Sequence, residues 1–323
     1  MTVTRRSLLQ AAGAMAVLPA LPARAQQWPS RTIRILVGTA AGGSPDIVSR
    51  VLGEKLSERL GQTVVIENNT QGAGIVAEQL AHKSAPDGYT MVMLTAGYPG
   101  RAALHQGLAF DPLDGFSFVT LVCGYPFVYS VAPNSPIKSF PDLLERAKAK
   151  PNTITYTINA QGSIHHLLTT WIGMEAGVSM TPIPYRGAAP AITDVLGGRV
   201  DVMVEPATSG FPRVREGQTR MLAVSSKGRY PLMPEAPTIE EFVPGIDFMS
   251  WLGYAMAPKT PTAIVVRMNQ EIRRALALPD VQKRLVEGGN VASPSTPQEF
   301  RDLVKREIER WTRVIAAAGI KAG

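Results

Sequence analysis

The sequence predicts an α/β protein of two lobes, each a doubly wound sheet flanked by helices, with a ligand cleft between them. Three observations lead there. Short β-branched runs alternate with amphipathic helical stretches along most of the chain. An aromatic segment at 116–131 interrupts this series, and a second series starts near Ser139. From Met249 onward come one strand pattern and two long helical stripes, which read as a return of the chain to the first lobe. The expected division is residues 26–130 with 250–323 for one lobe and 131–249 for the other.

The first unit is the most informative. Residues 33–37 form an apolar, β-branched run that passes through Gly38, Thr39, Ala40, Ala41, Gly42 and Gly43 into a helical pattern. Ile47, Val48, Val51, Leu52, Leu56 and Leu60 share one face of that helix, and Gly61 stands where a left-handed cap belongs. Ser44 suits the N-cap and Pro45 the first helical position, where a missing N–H costs nothing. Strand, glycine turn and helix N-terminus together make an anion-receiving loop, since exposed N–H groups and the helix dipole favour negative charge. Read alone, the stretch fits a tight βα turn in any α/β protein equally well. It is neither Gly-x-Gly-x-x-Gly nor a P-loop.

The next strands are expected at 63–67 and 89–94, with a short helix at 75–82 between them and a turn at 86–88. The loops at 40–46 and 95–100 then face one crevice, which brings Thr95 near the ligand or leaves it a plain turn residue. Pro126 favours an edge or crossover strand over a central one. In the second series Ser139 and Asp142 suit an N-cap and its N3 acid, with Pro151 ending the helix. Strands are expected at 154–158, 180–185, 200–204 and 220–224, and helices at 165–176 and 189–196. The last part reads as a strand at 251–257 and helices at 261–278 and 297–318. The stripe of Phe300, Leu303, Val304, Ile308, Trp311 and Ile315 on the final helix reads as core packing.

Composition narrows the function classes. With 45% hydrophobic and 18% charged residues the chain is an ordered globular protein. Arg5, Arg6 and Arg24 carry three of its seven net positive charges, and no basic run with interleaved aromatics follows, so nucleic acid is not an expected partner. A single cysteine, Cys123, excludes an internal disulfide and zinc-type cysteine clusters, and the four histidines show no metal-binding spacing. No cofactor is implied. Residues 1–25 read as a bacterial secretory signal with paired arginines, an apolar stretch broken by Pro19 and Pro22, and Ala23-Arg24-Ala25 before the cleavage point. The Arg5-Arg6 pair followed by two leucines also fits a twin-arginine signal. An exported, periplasmic chain is expected, and a monomer.

These motifs occur in an order that resembles the Bug family, the periplasmic solute-binding receptors of tripartite tricarboxylate transporters. The matching pieces are Ala40-Ala41-Gly42-Gly43-Ser44-Pro45-Asp46, Leu60-Gly61-Gln62-Thr63-Val64-Val65, Pro86-Asp87-Gly88-Tyr89-Thr90, Gly162-Ser163-Ile164-His165-His166, Pro184-Tyr185-Arg186-Gly187-Ala188-Ala189-Pro190 and Trp251-Leu252-Gly253. The resemblance spans essentially the whole chain after residue 25. It implies a type II-like two-lobed periplasmic binding protein that closes on a small carboxylate and passes it to membrane permease subunits. By position, Ala40, Gly42, Gly43, Ser44 and Asp46 belong to the first-lobe gripping loop. Gly162, Ser163 and His166 belong to the motif facing it, and Arg186, Gly187 and Ala188 to the following turn. Many members have Pro-Phe where Gly38-Thr39 stand here and Ser-Thr-Asp where Ser44-Pro45-Asp46 stand, so the ligand is not inherited from them.

Each candidate also has a plainer role. Ser163 either donates to a carboxylate or caps its helix; His166 is either a contact or a hydrogen-bonded structural histidine, and His165 is expected at the surface. Arg186 is a candidate cation or a solvated turn residue. Asp46 suits a helix cap, a water-mediated contact or an acceptor for an amino group. Glu205, at a strand end, is either a cleft acceptor or a solvated acid. The leading reading is a non-catalytic receptor; a ligand sensor for a membrane kinase and a secreted hydrolase on the same scaffold are its rivals. Against the hydrolase stands the lack of a Gly-x-Ser-x-Gly elbow or a credible Ser/His/Asp set.

Overall fold

Strand β1 (Ile33–Val37) is buried on both faces, as expected for the centre of a parallel sheet. The computed structural model describes residues 28–104 and 109–321; the expected export segment lies outside the described residues. Ile33, Ile35 and Val37 pack against Leu52 and Leu56 of α1 (Ser44–Leu60). The same layer holds Met268 and Ile272 of α8 (Thr262–Leu276). Leu36 belongs to the opposite layer, with Ala77 and Ala81 of α2 (Ile75–His82) and Phe300 and Val304 of α10 (Pro297–Ala318). Each fully buried side chain of this size contributes roughly 1.5–3 kcal/mol. Two apolar layers on one sheet give the doubly wound arrangement.

The first sheet is completed by β2 (Val64–Asn68), β3 (Thr90–Thr95), β4 (Ser117–Tyr125), β10 (Ser250–Met256) and β11 (Val291–Ala292). Its order is β11-β4-β10-β3-β1-β2. β1 is parallel to β2 and β3, whereas β10 runs antiparallel to both β3 and β4. In the second lobe β5 (Phe127–Val131) lies between β8 (Met203–Pro206) and β9 (Arg220–Val224), antiparallel to each. β6 (Thr155–Ile158) is parallel to β7 (Thr181–Pro184). A bridge from Tyr156 to Val202 joins that pair to the start of β8, which gives a second sheet in the order β7-β6-β8-β5-β9. Each lobe therefore places a long antiparallel strand, β10 or β5, among its parallel set, and the two-residue β11 is antiparallel to β4 at the edge of the first sheet. Both β10 and β5 arrive directly from the other lobe.

Sheet membership changes at Pro126, between β4 and β5, and again between β9 and β10. A proline suits the change because it ends pairing in one sheet without leaving an N–H to satisfy. Ser225, wholly buried, ties the two crossings together. Its Oγ accepts from Phe127 N at 2.8 Å and donates to Phe248 O at 2.7 Å. Its backbone bonds to the same two residues.

The remaining helices are α3 (Gly97–Leu104), α4 (Phe140–Ala149), α5 (Ile164–Ala176), α6 (Ala188–Leu196), α7 (Ala207–Arg215) and α9 (Pro279–Glu287). Ser139 is the N-cap of α4 and accepts from Asp142 N, as expected. Two expectations change. The segment at 95–100 is not a loop, since α3 begins at Gly97 and is held by buried Tyr98, whose hydroxyl donates to Pro112 O at 2.7 Å. The stretch after α8 folds as α9, whose Val281 and Leu285 enter the first-lobe core. The stripe on α10 is core: Trp311 is fully buried and meets Trp171 of α5 edge-on at 6.1 Å.

Candidate functional site

The C-terminal ends of the parallel strands in each sheet set the site. In the first lobe β1 runs into the turn at 38–43, and Gly38 lies so close to the next turn that a Cβ on it would sit 2.7 Å from Gly74 Cα. Only a residue without a side chain permits that approach. Gly42 adopts φ +84, a left-handed conformation that glycine takes without penalty. Gly43 is the N-cap of α1, so Ser44 opens the helix one position earlier than its sequence suggested.

Asp46 is the organiser of this turn. It is 2% exposed, yet three residues donate to its carboxylate. Gly42 N donates to Oδ2 at 2.9 Å, Asn68 Nδ2 to Oδ1 at 3.0 Å, and Arg50 reaches Oδ2 through Nε at 3.1 Å and Oδ1 through Nη2 at 2.9 Å. Desolvation opposes ionisation, but the donors from Arg50, Gly42 and Asn68 outweigh it and hold the carboxyl below its ordinary range. Asn68 also donates to Thr39 O at 3.0 Å, which fixes the other side of the turn. Gly43 N is engaged with Ala40 O at 3.3 Å. Among the described residues, the amides of Ala40, Ala41 and Ser44 have no protein partner, and neither does the buried Thr39 hydroxyl. The two glycines thus shape the turn, and their neighbours present the donors.

Thr95 ends β3, half-buried, with its hydroxyl 3.5 Å from where a Gly97 Cβ would be; Arg101 Nη1 is 3.1 Å from the same point. Arg101 pairs with buried Glu78, and its Nε is buried without a partner. Burial raises the Glu78 carboxyl above its ordinary value, while Arg101 opposes the rise. Reading 95–100 as a loop hid this cation.

In the second lobe Ser163 is the N-cap of α5, but its buried Oγ bonds to no backbone N–H of the helix and has no other partner among the described residues. Gly162 N donates to His166 Nδ1 at 3.1 Å. His166 lines a separate cavity of about 490 Å³ with Thr169, Thr170 and Met174, so its visible role is to hold the turn. His165 is not at the surface. It is 7% exposed, with the Phe127 ring of the crossover strand edge-on at 4.9 Å, and burial lowers its pKa to about 4. Arg186 and Gly187 are exposed on the turn before α6, and Ala188, also exposed, opens that helix. Glu205 is 2% exposed: Oε2 accepts from Ser209 Oγ at 2.7 Å and Arg213 Nε at 3.2 Å, whereas Oε1 is buried and unpartnered.

Two cavities gather some of these residues, while Ala40, Gly43, Asp46, Thr95, Gly162, Ser163 and Arg186 line neither. One of about 210 Å³ joins Gly42 and Ser44 of the first lobe to Thr208 of α7 in the second, with Asn290 beside it. Another of about 170 Å³ is lined by His165, Gly187, Ala188, Glu205 and Ser209. Thr208 and Ser209 are adjacent in α7, so the cavities flank the same helical turn. Among the described residues no group of three or more His, Cys, Asp or Glu side chains could hold a metal ion, and no helix is long and apolar enough to cross a membrane.

Residues 48–320 match the family described as the tripartite tricarboxylate transporter family receptor. The chain belongs to this family. Similar proteins include one encoded in the tcbD–tcbE intergenic region of Pseudomonas sp. strain P51, 33% identical over 98% of this chain and 95% of the relative. BugT of Bordetella pertussis is 32% identical over 94% of each chain. Among solved structures, the periplasmic binding protein BugD superposes with a TM-score of 0.76 at 29% identity, covering 91% of this chain and 99% of BugD. An R. palustris protein solved with adipate gives 0.79 at 32% identity, with 91% and 99% covered. MatC from Rhodopseudomonas palustris, solved with bound malate, gives 0.75 at 28%, with 89% and 100% covered. This tripartite tricarboxylate transporter receptor thus has the two-lobed fold of periplasmic binding proteins.

Proposed function

We propose that the chain is a periplasmic receptor that closes two lobes over a small organic carboxylate and delivers it to the membrane subunits of a tripartite tricarboxylate-type transporter. The observation that carries the reading is the first-lobe turn. Its amides of Ala40, Ala41 and Ser44 lack protein partners, it opens an α-helix, and a buried, neutralised Asp46 holds its shape. Preorganised N–H groups at a helix N-terminus form charge-assisted hydrogen bonds to a carboxylate at little reorganisation cost. The relatives solved with adipate and malate supply the ligand chemistry.

In this reading the lobes divide as expected except that the first boundary moves from 130 to Pro126, because β5 pairs with β8 and β9, and the crossings at Pro126 and just before β10 are the hinge. Ser163 and the 186–188 turn meet the ligand from the second lobe. The protein binds without turnover, acts as a monomer, and is exported by residues 1–25 with cleavage before Gln26. Thermal melting against paired acids and amides tests the core of it, because a ligand of the folded state raises the melting temperature by mass action. A rise with an acid and none with its amide is expected. Recovery of the acid chemically unchanged checks the absence of turnover, and the N-terminal sequence of periplasmic protein checks export. Melting unaffected by every acid, together with cleavage of an ester or amide, would replace the receptor with an enzyme.

A further inference from the structure

The second-lobe cavity of about 170 Å³ is lined by Glu205 and His165, and each of these side chains has a buried polar atom that the protein leaves without a partner, Oε1 of the one and Nδ1 of the other. Both side chains are more than nine-tenths buried. A buried donor or acceptor without a partner costs about 1–3 kcal/mol. Two such side chains lining one small cavity, beside the ends of β6 and β8, mark a place where a ligand can complete the hydrogen bonding.

The chemistry of that place is the reverse of the first-lobe turn. Glu205 accepts and cannot donate while ionised, and the only cation paired with it among the described residues, Arg213, is spent on Oε2. His165 supplies no positive charge, since burial takes its pKa to about 4 and leaves the ring neutral at physiological pH. Arg186 stands on the neighbouring turn but is exposed and does not line the cavity. A second ligand carboxylate would therefore meet a buried carboxylate oxygen with no free cation beside it, a like-charge contact that low dielectric makes costly. A hydroxyl or ammonium group would donate to Oε1 instead and relieve its unmet bond. The volume is room for about five waters' worth of atoms, enough for a short polar end group.

We infer that this receptor takes a monocarboxylate whose far end carries a hydrogen-bond donor, a hydroxyl or an ammonium, and that Glu205 with His165 selects that end against a second carboxylate. The inference rests on the receptor reading above, with the first-lobe turn holding the carboxylate. It sets this chain apart from a relative that was solved with adipate.

The test is calorimetric titration of the exported protein with four end-group series at matched lengths of four to six carbons. These are the dicarboxylates, the ω-hydroxy acids, the ω-amino acids and the methyl-ended acids. At the best length a hydroxyl- or ammonium-ended acid is expected to bind at least tenfold tighter than both the dicarboxylate and the methyl-ended acid. Glu205→Gln, which removes the charge and keeps the shape, is expected to shrink that preference at least fivefold and to strengthen dicarboxylate binding. Dicarboxylates binding tightest at every length would overturn the inference and leave the carboxylate receptor standing; so would methyl-ended acids binding as well as donor-ended ones. Silence from all four series would overturn both. The native series decides the matter even where the Glu205 variant does not fold.

Discussion

Asp46 shows why a carboxylate belongs in an anion-receiving turn: it is neutralised, buried and turned inward, where it commits Gly42 N to the protein and leaves other amides for the ligand. Asp46→Ala strands the amide of Gly42 and the side chains of Arg50 and Asn68 without their shared acceptor. A loss of about 1–3 kcal/mol in denaturant unfolding is expected, as for other buried hydrogen-bonding groups deprived of a partner. Carboxylate affinity is expected to fall at least tenfold, read by titration, with Asp46→Asn intermediate because it keeps one acceptor oxygen. Two other buried groups set the pH profile. His165 is neutral in the fold, with its pKa lowered to about 4, so its contribution is present above 6.5 and lost as pH falls through that window. Glu307 accepts from Trp251 Nε1 at 3.0 Å, and burial raises its pKa from 4.5 to about 8. Folding favours its protonated form, so its contribution is full below 4.5 and lost as pH rises to about 8. Glu307→Gln is expected to flatten the alkaline limb of a stability–pH curve and leave the acid limb in place, as chemical denaturation across pH would record.

At the scale of the element, the strands and most helices were legible because they are governed by local periodicity. The run at 33–37, the stripe from Val48 to Leu60 and the caps at Gly61 and Ser139 appear where apolar spacing and cap chemistry put them, although Ile47, expected on that stripe, is exposed. What escaped was decided by contacts distant in sequence. Gly97, Pro99 and Gly100 look like a turn, yet Tyr98 anchored to Pro112 and packed on Phe116 makes them a helix. His165 looks like a surface residue next to His166, yet Phe127, far upstream in sequence, covers it. Of the site, the first-lobe turn and Glu205 could be read as candidates; Arg101 and the burial of His165 could not. The contact between Gly38 and Gly74 belongs here too. It locks the end of β1 to the turn before α2, and Gly38→Ala would drive a methyl into backbone at 2.7 Å. Because backbone on both sides must move, a destabilisation of about 1–3 kcal/mol is expected from urea unfolding, with weakened acid binding as the two turns separate.

For the whole molecule, the two crossings at Pro126 and before β10 make each sheet depend on a strand delivered from the other lobe. β5 and β10 are both buried and both antiparallel to their neighbours, so neither lobe completes its sheet without the hinge. Rotation of the lobes must therefore be absorbed within a few residues on either side of the crossings, and Ser225 is the group that holds those residues in register. Its hydroxyl satisfies the amide of Phe127 on one crossing and the carbonyl of Phe248 on the other. Ser225→Ala keeps the backbone bonds but leaves the buried Phe127 amide without its acceptor, at a cost of about 1–3 kcal/mol. On closure the lobes are expected to meet at the turn of Thr208, which lines one cavity with Gly42 and Ser44. Loosening the hinge should then leave the closed shape unchanged while widening the range of open ones. Small-angle scattering of the variant is expected to show a larger radius of gyration than native without ligand and the same radius with a saturating acid. Affinity is expected to drop several-fold, because binding must now order a broader starting ensemble. An identical radius in the ligand-free native and variant proteins would mean that the register of the crossings is set elsewhere, by the paired strands themselves.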